Sequence, residues 1–316
     1  MVSNGAVAVT GRKTLTEDWL PIDWACACYV GAASIALARG AVGGDVPGWP
    51  WLAVAHVLMA SLVCLAPRAR ARGGAARFWG EWYAMFLLAG LYGEVGVLTS
   101  HAGLHNDALI QRAEVFLFGS EVSYRWIREM PVVWFSWFVH WCYLSYYAML
   151  FASPAGLWIA GKRLAARQTI LAIVVTFFVC YVVFLFFPVA GPRYAFALAH
   201  NAATEVTPAR LAQWLLDHGD SWGAAFPSSH VAASVVATGM AWRHWRGLGV
   251  VLAPFTLGLV LAVVYGQFHY AVDALSGLMV AAAMLGVMQL QKVPDEGLAP
   301  AYIGIEGMAA APESPT

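Results

Sequence analysis

The chain has 316 residues, of which 60% are hydrophobic and only 11% charged, with a mean hydropathy of +0.65. Soluble domains carry about a quarter of their residues as Asp, Glu, Lys and Arg, so the composition argues against a water-facing globule and predicts a chain embedded in a bilayer. The formal net charge is zero, which offers no global field to nucleic acid or any other polyanion.

Residues 1–21 are polar and carry Glu17 and Asp18 ahead of the first apolar run. They read as a cytoplasmic tail before an uncleaved helix, although Ala36-Leu37-Ala38 has the small-residue form of a cleavage site. A membrane-spanning helix takes about 20 apolar residues. Runs of about that length fall near 22–40, 50–66, 78–99, 132–158, 168–187, 229–245, 248–265 and 270–290. Eight spans are therefore expected. The sixth and seventh share the short connection Arg243-His244-Trp245-Arg246-Gly247 and read as a helical hairpin. Between the third and fourth, residues 106–120 are too short and too charged to span. Leu109, Ala113, Phe116 and Leu117 recur there at helical spacing, which predicts either an amphipathic helix on the membrane surface or a loop helix packed on the bundle. The tail from Pro294 is rich in Ala, Pro and Gly and is expected to be disordered.

This gives an all-α polytopic bundle: a tail over 1–21, two extra spans over 22–77, a six-helix catalytic region over 78–290 and a tail over 291–316. Lys and Arg collect on the cytoplasmic side of membranes. Placing both termini there puts Arg12, Lys13, Arg68, Arg70, Arg72, Arg77, Lys162, Arg163, Arg167, Arg243, Arg246 and Lys292 inside. The same topology brings segments 100–130, 188–228 and 265–269 together on the opposite, extracytoplasmic face.

Those segments carry the chemistry. In Tyr265-Gly-Gln-Phe-His269-Tyr-Ala-Val-Asp273, the His and Asp are four apart and share one helix face. A carboxylate so placed can hold one ring nitrogen and leave the other free as a nucleophile. In Phe226-Pro227-Ser228-Ser229-His230, a serine cap opens a helix whose N-terminus can cradle phosphate, with His230 in its first turn as general acid. In Phe187-Pro-Val-Ala-Gly-Pro192-Arg193-Tyr194, the helix breaks and delivers a guanidinium suited to phosphate oxygens. Each motif alone also has a purely structural explanation: a helix clamp, a cap, a headgroup-contacting arginine. Their convergence on one face is what assembles a phosphoryl-transfer site.

The motifs resemble those of the type-2 phosphatidic acid phosphatase superfamily, related to vanadium haloperoxidases, over roughly residues 78–290. The resemblance implies that His269 attacks phosphorus, that Asp273 orients it and that His230 protonates the leaving group, with no metal or other cofactor. It implies partners in a lipid phosphate donor and a lipid or water acceptor. The sequence departs from the family in three places. Pro-Ser-Ser-His stands for Pro-Ser-Gly-His, Phe186 stands where the first motif has Lys, and Ala262-Val263 stand where the third motif has Ser-Arg. Two of three phosphate-binding cations are thus absent, which favours a diester monoanion over a monoester dianion. Gln267, Tyr265, Arg210 or backbone donors are candidates to compensate, the amides near Ser228 and Ser229 holding the developing charge with Arg193. With the Leu-Phe-Gly-Ser segment at 117–120 and Tyr143, Tyr146 and Tyr147, these changes resemble the inositolphosphotransferase branch, similar to inositol phosphorylceramide synthases. The alternatives are a lipid or polyprenyl (pyro)phosphate phosphatase using water, and a lipid transporter with a vestigial site, which should show internal repeats. By analogy with orienting aspartates in catalytic triads, Asp273→Asn is expected to cut turnover by about three to four orders of magnitude.

Other polar residues are less informative. Cys26, Cys28, Cys64, Cys142 and Cys180 lie in apolar stretches and read as small hydrophobes. His101 and His105 lack further ligands for a metal site. Glu81 and Glu94 on the third span are open to a functional or a snorkelling role, and His56 and His140 are expected to hydrogen-bond within the bundle.

Overall fold

The computed structural model describes residues 16–44, 46, 48–100 and 106–291. The expected tail from Pro294 and the His101–His105 pair lie outside these residues, as does most of the N-terminal tail. The described chain folds into helices α1 (Pro21–Gly43), α2 (Trp49–Arg72), α3 (Gly74–Ser100), α4 (Asp107–Phe118), α5 (Val122–Glu129), α6 (Val133–Leu144) and α7 (Tyr146–Ile159). There follow α8 (Arg163–Phe186), α9 (Pro192–Ala195), α10 (Thr207–Gly219), α11 (Ser229–His244), α12 (Arg246–Tyr265) and α13 (Ala271–Leu290). Six of them (α1, α2, α3, α8, α12 and α13) are long and apolar enough to cross a membrane. The protein is an all-α polytopic membrane bundle.

The two remaining expected spans take different forms. The stretch 132–158 is a pair, α6 and α7, meeting at Ser145, whose hydroxyl donates to the Cys142 carbonyl at 2.7 Å. Such a back-bond competes with the helical ladder and bends the rod. The 229–245 stretch is α11, only 16 residues and so about 24 Å long. It is ringed by α7, α8, α12 and α13, and its buried positions, Val231 to Ala241, are mostly Ala, Val and Ser. A helix walled in by other helices need not match the lipid thickness itself. Only Trp245 separates α11 from α12, which confirms the hairpin.

Acidic groups inside the bundle are costly unless paired, and here they brace helices. Asp23 of α1 accepts from Arg70 of α2 at 2.5 Å and from the Tyr83 hydroxyl of α3 at 2.8 Å. Glu94 of α3 meets His56 of α2 at 2.5 Å. Glu81 pairs with Arg77 at 2.9 Å and with Arg167 of α8. Glu81 and Glu94, left open by the sequence, are thus tied to partners within the bundle, Glu81 to two arginines and Glu94 to His56.

Helix α4 buries Ile110 and Glu114 and exposes Leu109, Phe116 and Leu117, Phe116 at 87%. Its apolar stripe faces outward, except that Ala113 packs inward against the small cluster around Ile110 and Val189. An outward apolar stripe fits a helix lying at a lipid interface.

Candidate active site

The site begins where α12 stops. The Val263 carbonyl accepts the amides of both Phe268 (3.0 Å) and His269 (2.8 Å), which folds the chain back before α13 starts. At the start of α13, Asp273 reaches back to accept the Tyr270 amide at 2.8 Å, and buried Glu114 accepts the Ala271 amide at 2.8 Å. Both carboxylates thereby satisfy amides that a helix leaves without partners at its N-terminus. Burial raises the Glu114 carboxyl above its ordinary range, and the donors from Ala271 and Ser123 act against that shift.

Helices α11 and α13 approach closely at this point. The Ser228 amide donates to the Asp273 carbonyl at 3.0 Å. A Cβ on Gly277 would sit 2.5 Å from the Ser228 carbonyl oxygen, so only glycine permits the approach. Ser228 caps α11, its hydroxyl accepting from the Val231 amide at 3.4 Å. His230 is carried in the first turn of α11, with its ring 4.5 Å from that of Tyr146 and 5.5 Å from that of Tyr143.

His269 Nδ1 lies 2.9 Å from the Ala225 carbonyl and Nε2 lies 3.4 Å from His230 Nδ1. A carbonyl oxygen only accepts, so Nδ1 carries a proton, and in the neutral ring the Nε2 lone pair then faces His230. Asp273 Oδ2 is 3.6 Å from Nδ1, too far for the direct hydrogen bond the spacing suggests. The carboxylate is drawn instead to the Tyr270 amide, and a backbone carbonyl fixes the tautomer. Its other oxygen is buried without a hydrogen-bond partner among the described residues.

The loop bearing Arg193 is zipped to the loop bearing Ala225. The Val189 amide donates to Gly223 O at 3.1 Å and the Ala225 amide to Val189 O at 3.0 Å, a single parallel bridge. Asp107 accepts the Ala190 and Gly191 amides at 2.9 and 2.8 Å. Arg193 pairs with Asp217 of α10 and lies 3.9 Å from Asp220, while its Nη1 is buried without a partner among the described residues. Asp220 also accepts from the Tyr92 hydroxyl at 2.9 Å and the Tyr194 hydroxyl at 3.2 Å. Burial and the Asp220 charge push the Tyr194 phenol up, so it stays a donor.

Arg193, His230 and His269 line one narrow crevice, together with Tyr92, Tyr143 and Phe268. Among the described residues, Arg193 is the only Lys or Arg that lines it, and the Tyr143 hydroxyl is buried there without a partner. Residues 108–287, which include every one of these groups except Tyr92, match the PAP2 superfamily. The chain belongs to the PAP2 superfamily. No curated protein and no solved structure matches it. Membership supports a function of the lipid phosphate phosphatase or phosphotransferase type, carried out by an integral membrane protein.

In this PAP2 protein the structure brings His269, His230 and Arg193 together, with Asp273 directly behind His269. The side chains of the remaining candidates are not among those lining the same crevice. Tyr265 is fully buried, its hydroxyl donating to the Met130 carbonyl at 2.8 Å and accepting the Val132 amide at 3.1 Å. Gln267 accepts the Ala199 amide at 3.2 Å and lines a separate, larger cavity with Arg210. Ser228 has no amide to offer a phosphate, since it donates to Asp273, whereas the first-turn amides of Ser229 and His230 precede the helical ladder. The sequence reading missed Asp107, Glu114, Asp217 and Asp220. Their signal was the scarcity of charge itself: a chain with so few acids places several of them in the segments between its long apolar helices.

Proposed function

We propose that the protein transfers a phospho-headgroup between lipids through a covalent phosphohistidine on His269. The observation that carries this reading is the 3.4 Å contact between the unprotonated Nε2 of His269 and Nδ1 of His230, with the opposite nitrogen held by Ala225. Nε2 attacks phosphorus, the bond from phosphorus to the leaving lipid oxygen breaks, and His230, protonated when the anionic phosphate is bound, gives that oxygen its proton. His230 then takes the proton of an acceptor hydroxyl as its oxygen attacks phosphorus and the N–P bond breaks. Arg193 Nη1, the Tyr143 hydroxyl and the first-turn amides of α11 supply donors where charge develops, and such preorganised donors commonly contribute more than any other single effect to phosphoryl transfer.

A single cation among the described residues lining the crevice favours a diester, which carries one negative charge where a monoester carries two. Phe186, Ala262 and Val263 stand where further cations would be expected, and Ala262 and Val263 are fully buried. The catalytic unit in this reading is residues 78–290, with α1 and α2 as accessory spans. Its crevice opens on the extracytoplasmic face with both termini cytoplasmic, as the distribution of Lys and Arg supports.

Product analysis with purified protein in liposomes tests the reading. Labelled phosphatidylinositol with ceramide or diacylglycerol is expected to yield a new phospholipid, and His269→Ala none. Free phosphate from phosphatidic acid as the sole product would replace the transferase with a phosphatase. Tyr143→Phe is expected to fold normally and lower kcat/KM by about 10- to 100-fold, the range for a hydrogen bond to a charged group. An unchanged kcat/KM would remove Tyr143 from the site.

A further inference from the structure

Beside the histidine crevice lies a larger cavity of about 380 Å³, and Phe268 lines both. Asp217 lines the larger one while pairing with Arg193 of the smaller. At the inner end of the cavity stand His140 and Gln267, only 2% and 3% exposed. His140 Nδ1 lies 2.7 Å from the Ser136 carbonyl, which places the proton on Nδ1 and leaves Nε2 an acceptor. Nε2 lies over Gly266, another lining residue, where an added Cβ would come within 2.9 Å of it, and it has no hydrogen-bond partner among the described residues. Gln267 spends its oxygen on the Ala199 amide, so its NH2 group is a donor without a partner there. It is held at φ 61°, a conformation unusual for a residue other than glycine. On the wall, the NH2 of Gln213 is buried and has no partner among the described residues.

Buried donors and acceptors are costly when unmatched. We infer that this cavity is a subsite for a neutral, hydroxyl-rich group, the polyol headgroup or polyol acceptor of the transfer reaction proposed above, on which the inference rests. A hydroxyl both donates and accepts, so one polyol can answer His140 Nε2 and the two amide NH2 groups together. An anionic group would meet Glu205 and Asp217, a cationic one Arg210, and an aliphatic chain would leave all three polar groups unmatched. Trp214, 55% exposed at the rim, offers an aromatic face to the C–H side of a ring polyol.

The test is saturation-transfer NMR on the full chain carrying His269→Ala in detergent, with glycerol, myo-inositol, glucose and inorganic phosphate as separate probes. At least one polyol is expected to bind saturably, and to bind at least about fivefold more weakly when Trp214→Ala or His140→Phe is added. Trp214 lies at the rim, so its removal leaves the interior packing intact and keeps the test sound if His140→Phe folds poorly. In the chain with His269 intact, a bound polyol that acquires phosphate is the acceptor, and one that only competes with the donor lipid mimics the donor headgroup. Absence of polyol binding, binding indifferent to Trp214→Ala, or stronger binding of inorganic phosphate in this cavity would overturn the subsite. Polyol binding without any lipid transfer would overturn the phosphohistidine reading alone. Lipid transfer without polyol binding would overturn the subsite alone.

Discussion

His269→Ala is expected to lower phosphoryl transfer by about five to six orders of magnitude, comparable to removal of a catalytic nucleophile elsewhere. The substitution removes Nε2, which faces His230 at 3.4 Å while Ala225 holds Nδ1 at 2.9 Å. It also deletes one hydrogen bond to a carbonyl and leaves the Gly277 contact and the α13 cap intact, so the melting temperature should change little. A pulse of headgroup-labelled donor should trap a phosphoprotein that survives alkali and is lost in acid, as a P–N bond requires. That adduct should be absent from His269→Ala and should accumulate when the acceptor is withheld. Transfer persisting within tenfold of the unsubstituted protein would sink the nucleophile assignment outright, whatever the labelling shows.

Much of this site was legible because its residues are punctuation as well as chemistry. Pro227-Ser228 marks a helix start, Gly191-Pro192 a helix end, and His269 and Asp273 a four-residue spacing, so position and reactivity were read from the same letters. The spans were legible by length and hydropathy, and failed where packing replaces lipid: α11 is short because helices surround it, and Ser145 breaks a run that hydropathy alone leaves whole. What the sequence hid is backbone chemistry. Nothing in the spelling of Ala225 announces that its carbonyl fixes the His269 tautomer, because a main-chain oxygen is the same for every residue. The bridge between Val189 and Ala224, which carries Arg193 to the histidines, is equally silent. Gln267 and Tyr265 were misplaced for a related reason: sequence adjacency to His269 puts them on the same turn but not in the same cavity.

The same hidden carbonyl changes what Asp273→Asn should do. A triad aspartate replaced by asparagine costs about four orders of magnitude, chiefly because the histidine adopts the wrong tautomer. Here that failure is blocked, since the Ala225 carbonyl still demands a proton on Nδ1. The asparagine oxygen can also keep the Tyr270 amide that Asp273 Oδ2 now accepts at 2.8 Å. What disappears is a negative charge 3.6 Å from a ring that becomes cationic as Nε2 bonds to phosphorus. Two unit charges about 4 Å apart attract by about 4 kcal/mol at an effective dielectric near 20, and part of that is offset by the cost of keeping the carboxylate charged in a buried site. A loss of about two to three orders of magnitude in kcat is therefore expected, smaller than the spacing alone suggests. Asp273→Ala should lose more, and should also lower the melting temperature, because it removes the cap as well as the charge. Single-turnover rates for the two variants separate the contributions. A loss of four orders or more in Asp273→Asn would show that the carboxylate, not the carbonyl, sets the tautomer. A rate near that of the unsubstituted protein would show that the charge at this distance contributes nothing to the transition state.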